Sequence, residues 1–525
     1  MFLYAAVLHL ATATRAVYRF AMLSVFAQGV HPRCPAPFNM ADHVLRAGLA
    51  RPDHLALSIL HHDHIDDWSY AALTTAIRGT ATGLLQHAQA GQMVLMRLGN
   101  TVDFPIAYLG AIWAGLVPVP TSAALTRPEV AAILADLPVA AILRDPAVDC
   151  PDDGRCIPLD VLQAMRNLPP AAAATGDPDR LAYVIYTSGT SGKPRAVAHA
   201  HRAIWARGMM HQGWYGLRAD DRLCHAGAFN WTYTLGTGLM DPWTLGATAL
   251  IPAPGTAASA LPELLARHRA TIFAAAPGVY RQMLKGRDTL PLPALRHGLS
   301  AGEKLPDRIR DAWTAATGTQ VFEAYGMSEC STFISASPTN PAASGASGQP
   351  QPGRHIAIVD DTGTPQPIGQ PGIIAVHRSD PGLMLEYIGA PDETAQKFAG
   401  EWFLTGDEAQ MDADYQITYL GRADDMMNAG GYRVSPIEVE QALLSHEGIT
   451  AVAATDVLVK ADTRVIAAFY TGPAPLDQGA LKAYAEPRLA QYKRPRLYVH
   501  VDALPTGANN KILRRQLRDS FDTGR

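Results

Sequence analysis

The chain has 525 residues, enough for roughly two to four domains at ~100–200 residues each. Apolar residues make up 48% and charged residues 18%, which supplies a large core and excludes wholesale disorder. Lys and Arg number 44 against 48 Asp and Glu, a net charge of −4, which argues against nucleic acid as the main partner; the 5 cysteines show no CxxC spacing, so neither a disulfide framework nor structural zinc is indicated, and a reducing cytoplasm fits.

Residues 1–39 are expected to form an N-terminal extension ahead of the folded unit. Met1 to Val30 is apolar but broken by Arg15 and Arg19, so no uncharged run reaches the ~18–20 residues of a membrane span. An amphipathic membrane-surface helix is the other reading of this stretch. Helical sequence begins at Met40. From Asp53 to about Leu299, apolar strand-like runs such as Met93–Arg97, Val117–Pro120 and Ala140–Leu143 alternate with alanine-rich helical stretches such as Phe104–Gly115 and Arg127–Leu137, the pattern of an α/β sheet. Short strands with Gly and Pro turns dominate from Ile356 to Leu420. A compact final block follows Gly421, with helices expected near Ser435–Ser445 and Gln478–Leu489 and strands near Ala451–Val459 and Val465–Tyr470.

The most informative stretch follows the expected strand Leu181–Tyr186. It reads Thr187-Ser188-Gly189-Thr190-Ser191-Gly192-Lys193-Pro194-Arg195. Two glycines let backbone N–H groups turn toward an anion. Four hydroxyls add donors, and Lys193 and Arg195 add positive charge. The segment reads as a polyphosphate cradle or, more plainly, as a polar linker. It is not a Walker A loop, because Thr187 stands where the first Gly would be and Pro194 where Ser or Thr would follow the Lys.

Further motifs follow in order: Ser300-Ala301-Gly302-Glu303-Lys304; Glu323-Ala324-Tyr325-Gly326-Met327-Ser328-Glu329; Thr405-Gly406-Asp407; Gly421-Arg422-Ala423-Asp424; Gly430-Gly431-Tyr432-Arg433; and, inside Pro505–Arg515, Lys511. This ordered series, with the loop at 187–195, resembles the adenylate-forming superfamily of acyl-CoA synthetases, adenylation domains and luciferases, over about Asp42 to Leu517. Ser191 and Ser328 stand where that family has Thr, and Arg195 where it has Lys, which keeps the charge but changes donor geometry.

The resemblance implies an α/β fold. A large adenylate-forming domain (40–421), with two αβ sheets and a β-rich subdomain, would carry a small mobile α+β C-terminal domain (424–525) hinged at Asp424. It implies condensation of a carboxylic acid with ATP to acyl-AMP and pyrophosphate, then transfer of the acyl group to the thiol of coenzyme A. A carboxylate and an α-phosphate must be pushed together, so positive charge is needed between them. Lys511 is the candidate by resemblance, its plainer reading being a surface lysine in a basic tail with Arg514 and Arg515. Ser328 can donate to the α-phosphate, and Glu329 can hold Mg2+, which needs only one or two carboxylates beside phosphate oxygens. Tyr325 can stack on adenine beside Gly302, Glu303, Lys304, Glu323 and Ala324. Asp407 can accept from the ribose hydroxyls, as carboxylates do in dinucleotide folds, with Arg422 beside it. Gly430 and Gly431 either line a pantetheine tunnel or simply make a turn, and Arg433 is a candidate phosphate contact.

The acyl end is expected at Trp231, Thr232, Tyr233, Ala276, Pro277, Ala301 and Gly326. Gly326 follows Tyr325, where acetate-specific relatives carry a bulky Trp, so a Gly there is expected to leave room for a medium-chain or small aromatic acid. Rivals are a free-standing enzyme that loads a carrier protein, a luciferase-type oxygenase, and a non-catalytic module that has kept the fold. The oligomeric state is left between monomer and homodimer. His61-His62-Asp63-His64 is expected to be a solvated loop rather than a metal site, and Cys330 a packing residue.

Overall fold

The computed structural model describes residues 22–187, 195–423, 425–429, 432–460, 463–507 and 512–523. Its largest sheet, nine-stranded among the described residues, has a parallel centre. Arg222–His225 runs parallel to Thr248–Pro252 and to Ile272–Ala275, and the latter is followed in parallel by His297–Ala301 and Val321–Met327. Antiparallel strands Ile65–Ser69 and Ser331–Ser335 lie toward its two edges. A second, all-parallel sheet joins Val117–Pro120, Met93–Arg97, Val139–Arg144 and Cys156–Pro158. Every residue of Met93–Arg97 and of His297–Ala301 is buried, as expected of strands covered by helices on both faces.

Helix Asp103–Trp113 is buried on every side. Its apolar sequence leaves no solvent face, and it sits within the largest core. Other helices start where local chemistry starts them. The Asn39 side chain accepts from the N–H groups of Ala41 and Asp42 at 2.9 and 3.2 Å and caps Met40–Leu49. Thr126 and Glu129 form a capping box ahead of Arg127–Asp136.

The β-rich part contains Ile356–Val359, Gly372–His377, Trp402–Met411 and Ile417–Arg422. Here the expected extension is corrected. Val25–Phe26 pairs antiparallel with Ile356–Ala357, Leu23 bridges Pro367, and Phe38 bridges Gly176. Phe26 is buried in the same core as Ile356. Residues 22–39 therefore belong to the folded unit, because an edge strand's free N–H and C=O groups find a partner there. Residues 1–21 lie outside the described residues.

The final block has its own cores, built from Met427 onward. Its sheet runs Ala451–Lys460, Thr463–Thr471, Leu497–His500. The helix expected to reach Leu489 stops at Ala485, two residues before Pro487, which has no N–H to continue it. Among the described residues no helix is long and apolar enough to cross a membrane.

Candidate active site

Four neighbouring parallel strands deliver the expected site residues at one edge. Beyond the carboxyl end of Arg222–His225 come Trp231, Thr232 and Tyr233, and beyond Ile272–Ala275 come Ala276 and Pro277. His297–Ala301 ends at Ala301 and leads to Gly302, Glu303 and Lys304, and Val321–Met327 leads to Ser328 and Glu329. Ligands in open α/β sheets bind at these carboxyl ends.

Tyr325 and Asp407, 82 positions apart, meet. The Tyr325 hydroxyl donates to Asp407 Oδ2 at 2.6 Å. Tyr419 donates to Oδ1 at 3.3 Å, and Arg422 Nε lies 3.4 Å from the same oxygen. Asp407 and Arg422 face each other in strand register. Burial and the Asp407 charge hold the Tyr325 phenol well above its usual range, so it is a donor at any physiological pH. Its ring also packs against Phe333 and Tyr419.

Glu323 and Lys304, both expected beside the adenine, meet each other. Glu323 is buried, with Lys304 Nζ at 3.5 Å and Arg310 at 3.0 Å. Burial raises its carboxyl above the usual range, and the two cations oppose that rise. Lys304 also reaches the carbonyls of Gly345 and Ala346. The pair braces the turn under the expected nucleotide. Gly302 adopts φ +96°, a conformation that favours glycine, and a Cβ there would lie 2.8 Å from the Trp231 ring.

Gly326 has a backbone reason to be small. The strand Val321–Met327 hairpins onto Ser331–Ser335 with a register shift at Tyr325/Gly326. A Cβ on Gly326 would fall 2.2 Å from the Ser331 carbonyl oxygen. Its small size is thus demanded by backbone contact in the bulge.

The same hairpin sets Ser328 and Glu329. The Ser328 carbonyl accepts from His199 Nε2 at 2.8 Å. Tyr387 donates its hydroxyl to Glu329 Oε1 at 2.6 Å, and the Glu329 carbonyl accepts from the Met384 N–H at 2.7 Å. Tyr387 thus steadies one carboxylate oxygen of Glu329. Cys330 is buried as expected, its thiol pushed well up by burial.

At the acyl end, Trp231 packs edge-on to Tyr233 with ring centres 5.0 Å apart. Tyr233 is buried and donates to the Leu299 carbonyl at 3.1 Å, so it serves as a wall. Pro277 is buried and opens the helix Pro277–Leu284 with Ala276 as its cap, and Ala301 is buried. The apolar segment that follows Tyr233 forms a wide π-helix at Thr234–Met240, a feature often found at functional sites.

The expected phosphate loop is bracketed by Leu181–Thr187 and Arg195–Ala200, which pair antiparallel with Thr187 opposite Arg195. Ser188, Gly189, Thr190, Ser191, Gly192 and Lys193 lie outside the described residues, as do Asp424, Gly430, Gly431 and Lys511, and of Thr187 and Arg433 only the backbone is described. Arg195 binds the Glu393 carboxylate with Nε and Nη2 at 2.5 and 2.6 Å. Near Lys511, Thr506 bridges Ile512. Arg514 holds Glu440 through two hydrogen bonds of 2.8 and 2.7 Å. That guanidinium is therefore an anchor rather than part of a loose basic tail.

Sequence reasoning missed a small cavity of about 20 Å³ beside Ser328, which forms part of its wall. Tyr108, Tyr183, His199, Arg207, Thr232 and Ser331 help line it. Arg207 and Asp241 form a buried pair with contacts of 2.8 and 2.5 Å, to which Tyr215 adds a 2.7 Å hydrogen bond. Burial works against the Arg207 charge, and Asp241 together with Tyr215 and Tyr183 more than offsets it. No local motif announces Tyr108, His199 or Arg207, because they come together only through the fold.

A profile of the family described as AMP-binding enzyme matches residues 45–388. A second, for the AMP-binding enzyme C-terminal domain, matches residues 438–511. The chain belongs to the AMP-binding enzyme family. Among its curated relatives, a benzoate–CoA ligase of Thauera aromatica is 30% identical, covering 93% of this chain and 97% of that protein. A 4-hydroxybenzoate–CoA/benzoate–CoA ligase of Rhodopseudomonas palustris is 31% identical, with 86% and 88% covered. The crystal structure of the anthranilate CoA ligase AuaEII in complex with anthranoyl-AMP superposes with a TM-score of 0.84 at 26% identity, covering 94% of this chain and 98% of that one.

Proposed function

We propose that this AMP-binding enzyme is an ATP-dependent acid–thiol ligase acting on a small aromatic carboxylic acid, with coenzyme A as the acceptor. The observation that carries the reading is the convergence of Trp231, Ala301, Tyr325 and Ser328 at the ends of neighbouring parallel strands, with Asp407 joined to Tyr325. The aromatic preference is supported by the chain's likeness to the benzoate–CoA ligase of Thauera aromatica and the 4-hydroxybenzoate–CoA/benzoate–CoA ligase of Rhodopseudomonas palustris.

In the first half-reaction the substrate carboxylate oxygen attacks the α-phosphorus of ATP, and the bond to pyrophosphate breaks. The glycine-rich segment 188–193 holds the phosphates. Tyr325 packs against adenine and Asp407 accepts from the ribose hydroxyls, with Arg422 beside it. Ser328 donates to the α-phosphate, and Lys511 supplies the positive charge that lets two anions approach. Glu329 fits Mg2+: Tyr387 steadies one of its oxygens, and a single carboxylate beside phosphate oxygens suffices. When bound, that ion screens phosphate charge. In the second half-reaction the thiol sulfur attacks the acyl carbonyl and AMP leaves. The final block, which has its own cores, rotates about Asp424 to bring Gly430, Gly431 and Arg433 toward the pantetheine arm. The compartment proposed is the cytoplasm, in keeping with cysteines that are free.

The test is pyrophosphate release by the full chain across a panel of acids graded in length and aromaticity, with CoA or an acyl-carrier protein as acceptor. Release with an aromatic acid, followed by aryl-CoA formation, supports the proposal. Acylation of the carrier alone, or turnover confined to aliphatic acids, overturns it.

A further inference from the structure

The cavity beside Ser328 contains polar atoms that nothing in the proposed half-reactions uses. His199 and Tyr108 both line it. The His199 ring stacks on Tyr183 with centres 4.8 Å apart, and Tyr183 in turn packs against Tyr108. His199 Nδ1 and the Tyr108 hydroxyl are buried, and neither has a hydrogen-bond partner among the described residues. An orphaned buried polar group costs roughly 1–3 kcal/mol, so two at one cavity call for a ligand group or a water.

The chemistry of that group can be read from the protonation pattern. His199 Nε2 faces the Ser328 carbonyl, which can only accept, so Nε2 carries the proton. Burial pushes the imidazole down to about 4, so the ring is neutral at pH 7 and Nδ1 is an acceptor. The Tyr108 hydroxyl can donate or accept. The pair therefore matches a group that has an N–H or O–H to give, and a methyl or halogen in the same place leaves both unsatisfied. A carboxylate does not match either. The one guanidinium named at the cavity, Arg207, already holds both oxygens of Asp241, and an unpaired charge in such a site is heavily penalised.

The cavity also has the right neighbours. Thr232 and Ser328 line it, and these are the residues assigned above to the acyl end and to the α-phosphate. Resting on that reading, we infer that the cavity is the deep end of the acyl site, and that Tyr108 and His199 select an aromatic acid bearing a hydroxyl or amino substituent on its ring.

The test compares kcat/KM for pyrophosphate release with benzoate and with its ring-hydroxy, ring-amino and ring-methyl derivatives, in the wild-type chain and in Tyr108→Phe. That variant keeps the ring and removes only the hydroxyl. A site built to hydrogen-bond a substituent rejects the analogue lacking it. The wild type should favour at least one hydroxy or amino acid over its methyl counterpart by roughly tenfold or more, and Tyr108→Phe should collapse that ratio. Because the ratio is taken within one protein, a loss of folded enzyme cancels. Equal use of hydroxy, amino and methyl acids by the wild type overturns the inference, as when the cavity holds only water. So does a variant that slows every acid alike and leaves the ratio intact. Absence of turnover with any aromatic acid is a different failure, that of the proposed function itself.

Discussion

Replacing Tyr325 by Phe tests how the nucleotide end is assembled. The change keeps the ring that packs against Phe333 and Tyr419 and removes one hydroxyl, the donor 2.6 Å from Asp407 Oδ2. A hydrogen bond to a charged acceptor nets roughly 1.5–3 kcal/mol. Asp407 keeps two longer contacts on its other oxygen, to Tyr419 at 3.3 Å and to Arg422 at 3.4 Å. These hold the carboxylate near its place, so the expected loss is at the low end, about 1.5 kcal/mol, or roughly tenfold. Asp407 is proposed to bind the ribose equally in ground and transition states. The loss should then appear as a KM for ATP raised about tenfold with kcat within about threefold. Initial-rate pyrophosphate assays at varied ATP read both. An unchanged KM, or a loss confined to kcat, refutes the assignment of Asp407 and Tyr325 to nucleotide binding.

Asp241→Ala strands the buried Arg207 guanidinium and also removes the acceptor of Tyr215. Breaking such a pair costs roughly 3–5 kcal/mol, so the thermal midpoint should fall by several degrees, and an unchanged melt contradicts the pairing. Gly326→Ala should impair folding or activity even with the smallest acids, because its Cβ meets the Ser331 carbonyl at 2.2 Å; full activity with a merely shortened acid preference would restore the pocket-room explanation. Acidification should destabilise the protein through His199 and His225, which burial depresses to about 4 and about 3. The unfolded chain binds these protons near pH 6.5 while the folded one does not. Stability is therefore lost as pH falls from 6.5 toward 4, by about 1.5 kcal/mol for each ring between pH 6.5 and 5. Melts that are flat over that window contradict the neutral assignments.

Much of the architecture was legible because its signals are local. Buried parallel strands read as apolar runs, and Asn39 and Thr126 mark helix starts by their own side chains. The candidate site motifs stand out for the same reason, since Gly302, Ser328 and Asp407 lie in short segments with turn-forming residues. What was not legible depends on long-range pairing. Val25–Phe26 looks like part of an extension ahead of the folded unit until Ile356–Ala357 offers an edge to pair with. That Glu323 and Lys304 pair with each other is legible only once two neighbouring strands bring them together. The hairpin backbone that Gly326 faces is contributed by Ser331, a contact its own segment does not announce. Tyr108, His199 and Arg207 come from separate elements and share no spacing that sequence alone could reveal.

The most direct measurement of the central claim is mass spectrometry of the products formed from ATP and an aromatic acid with no thiol present. An enzyme-bound aryl-adenylate should accumulate with pyrophosphate, and adding CoA should convert it to aryl-CoA and AMP. Formation of ADP and phosphate, or no acid-dependent consumption of ATP, would contradict the account.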